Sequence, residues 1–345
     1  MNTTWTEFLV REGATLEDSG IRFDAPEAEV RAVESGTVAV PLVHLGLIRC
    51  AGDDSVTFLH NLLSNDVKKL GPQSAQWSSF NTPKGRMLAS LLLWSDDSGQ
   101  MIAASADVQP MLQKKLSMYV LRSKVKLADA TPDTVLIGVS GAAADAALAS
   151  AGIAAPVAPM TQAVAGEVRC IRLDLRNLVV AVPTAEAPEV FRKLAAGGAT
   201  KAGTAAWQLA MIRAGLPLIT AATQEEFVAQ MLNFEVIGGV SFNKGCYPGQ
   251  EIVARTQYLG KLKKRMYHVH VSGDAAPAVG ADLFTPEFGD QSAGKLVNVV
   301  PAPKGGFEAL AVMQISCAEA GEVHVGSPQG PQLQFLDLPY ALPEK

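Results

Sequence analysis

The chain has 345 residues, of which 48% are hydrophobic and 18% charged, with a formal net charge of −5. That length exceeds one simple core and predicts two or three domains, while the composition excludes a disordered polymer. The negative balance excludes a global attraction to nucleic acid or anionic membrane, so any such contact needs a local patch.

Residues 1–36 are mixed, with Glu27 and Glu29 in an acidic cluster, and read as a helical or irregular lead-in. Thr37 to Cys50 is β-branched and apolar and predicts a strand. Gly52-Asp53-Asp54 supplies an N-cap, and Val56, Phe58, Leu59, Leu62 and Leu63 give the apolar face of a helix ending near Asn65. Trp77–Phe80 and Met87–Trp94 read as strands around the turn Asn81-Thr82-Pro83-Lys84-Gly85, and a hairpin at Asp96-Asp97-Ser98-Gly99 leads into 101–104. Asp107 caps a second helix to about Tyr119, and 124–127 closes the unit as a strand.

A similar order recurs more weakly: a strand at 134–139, an alanine-rich helix at 142–151, a hairpin around Arg176-Asn177, and a helix at 186–196 ended by Gly197-Gly198. Ala202–Arg213 is a strong helix stopped by Gly215-Leu216-Pro217, and a short helix is expected near 225–232. Beyond Gly260, short alternating strands at 266–271, 296–300, 310–314 and 322–325 predict a small antiparallel barrel. The reading is an α+β chain with subdomains at 1–130 and 131–261 and a C-terminal β-barrel at 262–345.

Cys50, Cys170, Cys246 and Cys317 are far apart and form no CxxC pair, which fits a reducing cytoplasm and argues against a disulfide framework or a zinc site. The first residues lack the basic and apolar regions of a signal peptide. No run of about 18 apolar residues predicts a membrane span.

The most chemically pointed stretch runs from Phe242 to Arg255. In it Cys246 lies between Lys244 and the turn Tyr247-Pro248-Gly249, and Gln250-Glu251 opens a helix. A thiol beside a cation and close to a helix N-terminus is favoured as thiolate. The plain alternative is a glycine-rich turn around an inert cysteine. Gln250 and Glu251 fit a capping-type brace, and Arg255 is spaced to pair with Glu251.

Lys244-Gly245-Cys246-Tyr247-Pro248-Gly249-Gln250-Glu251, followed by Val253-Ala254-Arg255, closely resembles the signature of the YgfZ family, iron–sulfur-linked folate-binding relatives of the glycine-cleavage T-protein aminomethyltransferase. Arg213-Ala214-Gly215-Leu216-Pro217, Gln230-Met231-Leu232-Asn233 and Gly238-Gly239-Val240-Ser241-Phe242 extend the resemblance, as do Asn65-Asp66 and the Lys84-Gly85-Arg86 hairpin. The resemblance implies a three-domain ring of the T-protein type, two α+β subdomains plus a β-barrel, with tetrahydrofolate or a derivative bound at its centre. It implies a part in iron–sulfur cluster assembly or repair, with cluster carriers or client proteins as partners, and so an indirect part in tRNA modification.

Departures accompany the matches. Where the aminomethyltransferases carry an Asp pair, Gly85-Arg86-Met87-Leu88-Ala89-Ser90 has Ala and Ser, so no carboxylate is evident to assist proton transfer on folate. Arg213 replaces an acidic residue. These changes argue against an active aminomethyltransferase. A folate-dependent one-carbon transferase or demethylase remains the rival reading.

Asn65, Gln230 and Asn233 have amides suited to a pterin edge, and Arg213 and Lys244 have charges suited to a folate carboxylate. Trp77 and Trp207 suit either a pterin stack or the core. The basic run Lys261, Lys263, Lys264 and Arg265 reads as a solvated face or as a contact for polyglutamate or tRNA. His268 and His270 share a strand face without a third ligand.

Overall fold

The computed structural model describes residues 3–18, 20–23, 25–258, 260 and 262–343. Spatially they fall into two compact units, each assembled from non-consecutive segments. The residues up to Phe58, Lys68–Gln76 and Leu92–Ala210 form the first; Leu59–Val67, Trp77–Leu91 and the residues from Met211 onward form the second.

The first unit holds a six-stranded sheet in the order Thr161–Ala165, Val168–Arg172, Asn177–Pro183, Thr134–Gly141, Thr37–Pro41, Thr200–Lys201. Every pairing is antiparallel except the last. Trp5 and Phe8 of the helix Thr3–Arg11 meet Phe191 of the helix Ala187–Ala196 edge-on, and this aromatic cluster packs with Ile137, Val180 and Leu148 into one core. The lead-in is therefore regular: its helix is amphipathic, with Trp5, Phe8 and Leu9 on the buried face.

The predicted strand 37–50 is two strands, Thr37–Pro41 and Leu45–Ala51, in different sheets. The second pairs Ile48 with Ile102 on one side and Arg49 with Ala128 on the other. Pro41 lacks the N–H that a continuous ladder would need. Trp207 takes the core role: a Cβ on Gly138 would run into its ring. Burial pushes the thiols of Cys50 and Cys170 up to about 12, which keeps both protonated.

The second unit contains a six-stranded antiparallel sheet in the order His324–Val325, Asp282–Phe284, Gly294–Pro301, Phe307–Gln314, Lys264–Val271, Leu333–Leu336. Its two outer strands meet at the bridge His324 to Gln332, and the Leu333 N–H donates to the Val323 carbonyl at 2.8 Å, so the sheet curls back on itself as the alternation predicts. The helix expected near 225–232 is absent. In its place stand 3₁₀ turns at Ala221–Thr223 and Ala229–Leu232, with backbone bonds from Glu225 N–H to the Met87 carbonyl and from Met87 N–H to the Phe227 carbonyl. Pairing with the strand that begins at Met87 overrides local helix propensity.

Among the described residues no helix is long and apolar enough to cross a membrane.

Candidate functional site

Phe242–Arg255 lies wholly in the second unit, and three neighbours fix its shape. The first is the segment that follows the helix Ser55–Leu62. Ser241 N–H donates to the Ser64 carbonyl at 3.0 Å, and Ser64 Oγ donates to the Gly239 carbonyl at 2.7 Å. Lys244 is buried, and its Nζ donates to the carbonyls of His60 and Leu63. Those carbonyls belong to the C-terminal end of the helix, where orphan acceptors and the helix dipole both favour a cation. The same ammonium lies 4.7 Å from the centre of the buried Tyr247 ring, whose phenol burial pushes above its ordinary value.

The second neighbour is the 82–86 hairpin. Gly249 has φ +82°, and a Cβ there would stand 2.5 Å from the Thr82 carbonyl oxygen and 2.6 Å from Gly85 Cα. Gly85, at φ +73°, would bring a Cβ to 3.0 Å from Ile252. Backbone thus rests on backbone, and two glycines are the only way to seat it. Gly249→Ala is expected to lose about 1–3 kcal/mol from the strained φ alone, whereas Gly245, with open space around it, tolerates alanine. Urea midpoints of both variants check this, and equal midpoints would refute the close-approach argument.

The third neighbour is Gln230, whose Nε2 donates to the Val253 carbonyl at 2.6 Å in the helix Gln250–Tyr258. Gln250 Nε2 reaches the Lys244 carbonyl at 3.4 Å, closing the loop as a brace should. Glu251 and Arg255 are both exposed, and no ion pair joins them among the described residues. Cys246 is exposed at the tip of this braced loop, whereas Cys50, Cys170 and Cys317 are buried. A thiol so placed can meet an outside partner, and the other three cannot.

The predicted folate contacts come together only in part. Asn65 is committed within the protein: its Nδ2 donates to the carbonyls of Trp77 (2.7 Å) and Gly238 (2.8 Å) and its Oδ1 accepts from Asp66 N–H. Asn233, fully buried at φ +57°, donates to the Met266 carbonyl at 2.9 Å and accepts from Arg265 at 3.3 Å. Arg213 makes a two-pronged pair with Glu308 (2.9 and 2.6 Å), and His268 Nε2 stands 2.9 Å from the same carboxylate. Lys244 is spent as described above. Gln230 differs, because its Oε1 is buried without a hydrogen-bond partner.

The basic run is not a continuous surface. Strand alternation turns Arg265 inward onto Glu235, and Lys264 is half-buried, its pKa lowered by burial and by the charges of Arg86 and Lys295. Lys261 lies outside the described residues. His270 Nε2 faces the Gly305 carbonyl at 2.9 Å.

Two residues escaped the sequence reading. Asn81 is 2% exposed, and both its amide nitrogen and its amide oxygen lack partners; in sequence it is only the first residue of a turn. Glu235 is a buried acid whose pKa burial raises, with Arg265 pulling the other way, and its Oε2 is unpartnered. Ala89 and Ser90 are buried, and Ser90 Oγ accepts the Ile219 N–H at 2.9 Å, a structural task.

Residues 10–173 match the family model described as the GCVT N-terminal domain. The tRNA-modifying protein YgfZ of Yersinia pseudotuberculosis is 29% identical over 93% of this chain and 99% of its own length. The protein of the same name from Yersinia enterocolitica is 29% identical over 93% and 98%. The resemblance to the YgfZ family therefore holds over nearly the whole chain. The crystal structure of the glycine cleavage system aminomethyltransferase T from Bartonella henselae superposes with a TM-score of 0.80 at 19% identity, covering 98% of this chain and 97% of that one. The α+β fold of the T-protein type is thereby established.

Proposed function

We propose, from the chain's resemblance to YgfZ proteins along nearly its full length, that it is a folate-binding accessory protein for iron–sulfur cluster assembly or repair and so serves tRNA modification indirectly. The observation that carries this reading is Cys246: the one exposed thiol among four, at the tip of a loop that buried residues hold in shape. A single thiol does not hold a [4Fe–4S] cluster, which takes four ligands. Among the described residues no group of three His, Cys, Asp or Glu side chains is placed to hold a metal ion. On this reading the cluster is cargo, met at Cys246 together with ligands from a partner.

The residues present fit a pterin. Its pyrimidine edge offers amide-like donors and acceptors side by side, and Asn81 and Gln230 Oε1 are buried groups lacking such partners. The bridge Arg86 to Val228 joins the far side of the turn that follows Asn81 to the residue just before the 3₁₀ turn that carries Gln230. Asn81 and Gln230 would hold the ring edge, while Asn65 and Asn233 hold the backbone around it. Tetrahydrofolate would supply a reduced one-carbon carrier. The Gln230 side chain, bonded to Val253, would link its occupancy to the helix that follows the Cys246 loop.

Anaerobic calorimetry with tetrahydrofolate tests this. Wild type and Cys246→Ala are expected to bind alike, and Asn81→Leu is expected to lose at least tenfold in affinity. Cys246→Ala should also fail to complement a strain lacking the protein, with an unchanged melting temperature. No binding by wild type would remove the folate reading, and full complementation by Cys246→Ala would remove the thiol. Glu235 is the observation that favours the rival one-carbon enzyme, since it is a buried carboxyl on the segment that carries Gln230. Turnover of methylenetetrahydrofolate with an amine, abolished by Glu235→Gln, would reverse the ranking.

A further inference from the structure

Between Lys114 and Lys126 the chain carries five cations, Lys114, Lys115, Arg122, Lys124 and Lys126, and no acid, in a protein whose net charge is −5. The segment comprises the last turns of the helix Gln109–Ser117, a connection, and the start of the strand Lys126–Asp129, all within the first unit. That strand is the edge of its sheet, next to Leu45–Ala51. Lys114, Arg122, Lys124 and Lys126 are exposed. Lys124 has a loose partner in Asp53 at 3.5 Å, both nearly bare to solvent. Lys114, Lys115, Arg122 and Lys126 make no ion pair with any described residue.

Apolar groups stand among these charges, with Leu121 86%, Met118 70% and Tyr119 46% exposed. Helix-dipole stabilisation accounts for Lys114 and Lys115 in the last turn. It does not account for Arg122 or Lys126, nor for apolar side chains left in water beside them. A shallow open groove of about 630 Å³ runs between helix and edge strand, lined by Gln109, Gln113, Lys114, Ser117, Met118 and Asp129. Unpaired cations that track a backbone and a ring to stack on are what a sequence-tolerant nucleic-acid surface needs, and Asp129 is the one acid on the groove wall.

We infer that this face, from Lys114 to Lys126, is a docking surface for the phosphate backbone of RNA. The 261–265 run is the less suitable surface, because Arg265 is buried against Glu235. The inference rests on the proposed link to tRNA modification only for its choice of polyanion, and it needs neither folate nor Cys246. An anionic membrane would also attract the charges, but an interfacial segment presents a continuous apolar face, and here the apolar groups are confined to one connection.

The test is fluorescence anisotropy with bulk bacterial tRNA and the full-length protein, folate-free, from 50 to 200 mM salt. Wild type should lose roughly 50- to 150-fold in affinity across that range for four phosphate contacts. The variant Lys114→Gln, Lys115→Gln, Arg122→Gln, Lys126→Gln should bind at least tenfold more weakly, with its salt slope reduced by about 3. A control that neutralises Arg11, Arg31, Arg176 and Lys304, all exposed elsewhere, should bind as wild type does. Lysine acetylation footprinting of wild type gives a readout without mutation: tRNA should protect Lys114, Lys115 and Lys126 and leave Lys304 reactive. Absence of wild-type binding, equal losses in test and control variants, or unprotected lysines would each overturn the inference. So would binding to phosphatidylglycerol vesicles that the test variant loses while tRNA binding is unchanged.

Discussion

Glu308→Gln is expected to lower stability at pH 7 by about 3 kcal/mol and to flatten the acid limb of the stability profile. Glu308 is 5% exposed, and burial by itself works against its ionisation. Hydrogen bonds and charge from Arg213 and His268 outweigh that burial and hold the carboxyl at about 2 instead of the ordinary 4.5. With the folded value depressed, the group's contribution is fully present above the unfolded value and is lost as pH falls from about 4.5 through about 2. A difference of that size corresponds to at most about 3 kcal/mol. Glutamine would also leave Arg213 and His268 without the charge they face, which is the costly way to break a buried pair. Urea unfolding of both proteins at pH 7 and at steps down to pH 2.5 measures it. Stabilities within about 0.5 kcal/mol at pH 7, or parallel acid limbs, would show that the pair is held by shape and not by charge.

Lys244→Met is expected to be the most damaging single change in the Cys246 loop, at about 2–4 kcal/mol, although it leaves the thiol in place. Methionine matches the stem in volume, so the loss comes from removing the buried ammonium that donates to the carbonyls of His60 and Leu63. Tyr247 would lose the cation beneath its ring as well. Protease cleavage within 242–250 and alkylation of Cys246 should both accelerate, because the loop is freed from the helix end. A rise in alkylation without any loss of stability would mean that Lys244 acts on the thiol electrostatically, as its neighbouring position suggested. Unchanged cleavage and alkylation would mean that the bonds to Gln230 and Gln250 hold the loop unaided.

That alternative shows what the sequence could and could not convey. Lys244 stands two positions from Cys246, so a linear reading assigns its charge to the thiol. Its acceptors come from 184 and 181 residues away, and no local pattern announces them. The C-terminal strands were legible because short apolar and β-branched runs bounded by Gly and Pro are a local signal, and 307–314 is such a run, buried at every position but its last. The break at Pro41–Leu45 was passed over although Pro41 marks it, because Leu42 and Val43 continue the apolar run without turn chemistry. The false helix at 225–232 arose because Phe227, Val228, Met231 and Leu232 fall at helical spacing, while Glu225 at φ +63° and the bonds to Met87 belong to tertiary pairing. Asn233 and Asn65 read in the sequence as amides suited to a pterin edge, and in the fold their side chains donate to the carbonyls of Met266, Trp77 and Gly238. Asn81 was passed over because an asparagine that opens Thr82-Pro83-Lys84-Gly85 reads as a turn residue.

The wiring of the second unit also sets a timetable for biosynthesis. In the order of synthesis residues 59–67 and 77–91 long precede the rest of their unit, which resumes at Met211. The end of the helix Ser55–Leu62 therefore waits through 181 further residues for the lysine that satisfies it. Tyr340, whose hydroxyl donates to the Gly215 carbonyl at 2.9 Å, is synthesised later still. Until Lys244 is made, nascent chains thus lack the ammonium that donates to the end of that helix, and the loop that carries the exposed thiol gains this anchor only with its own synthesis.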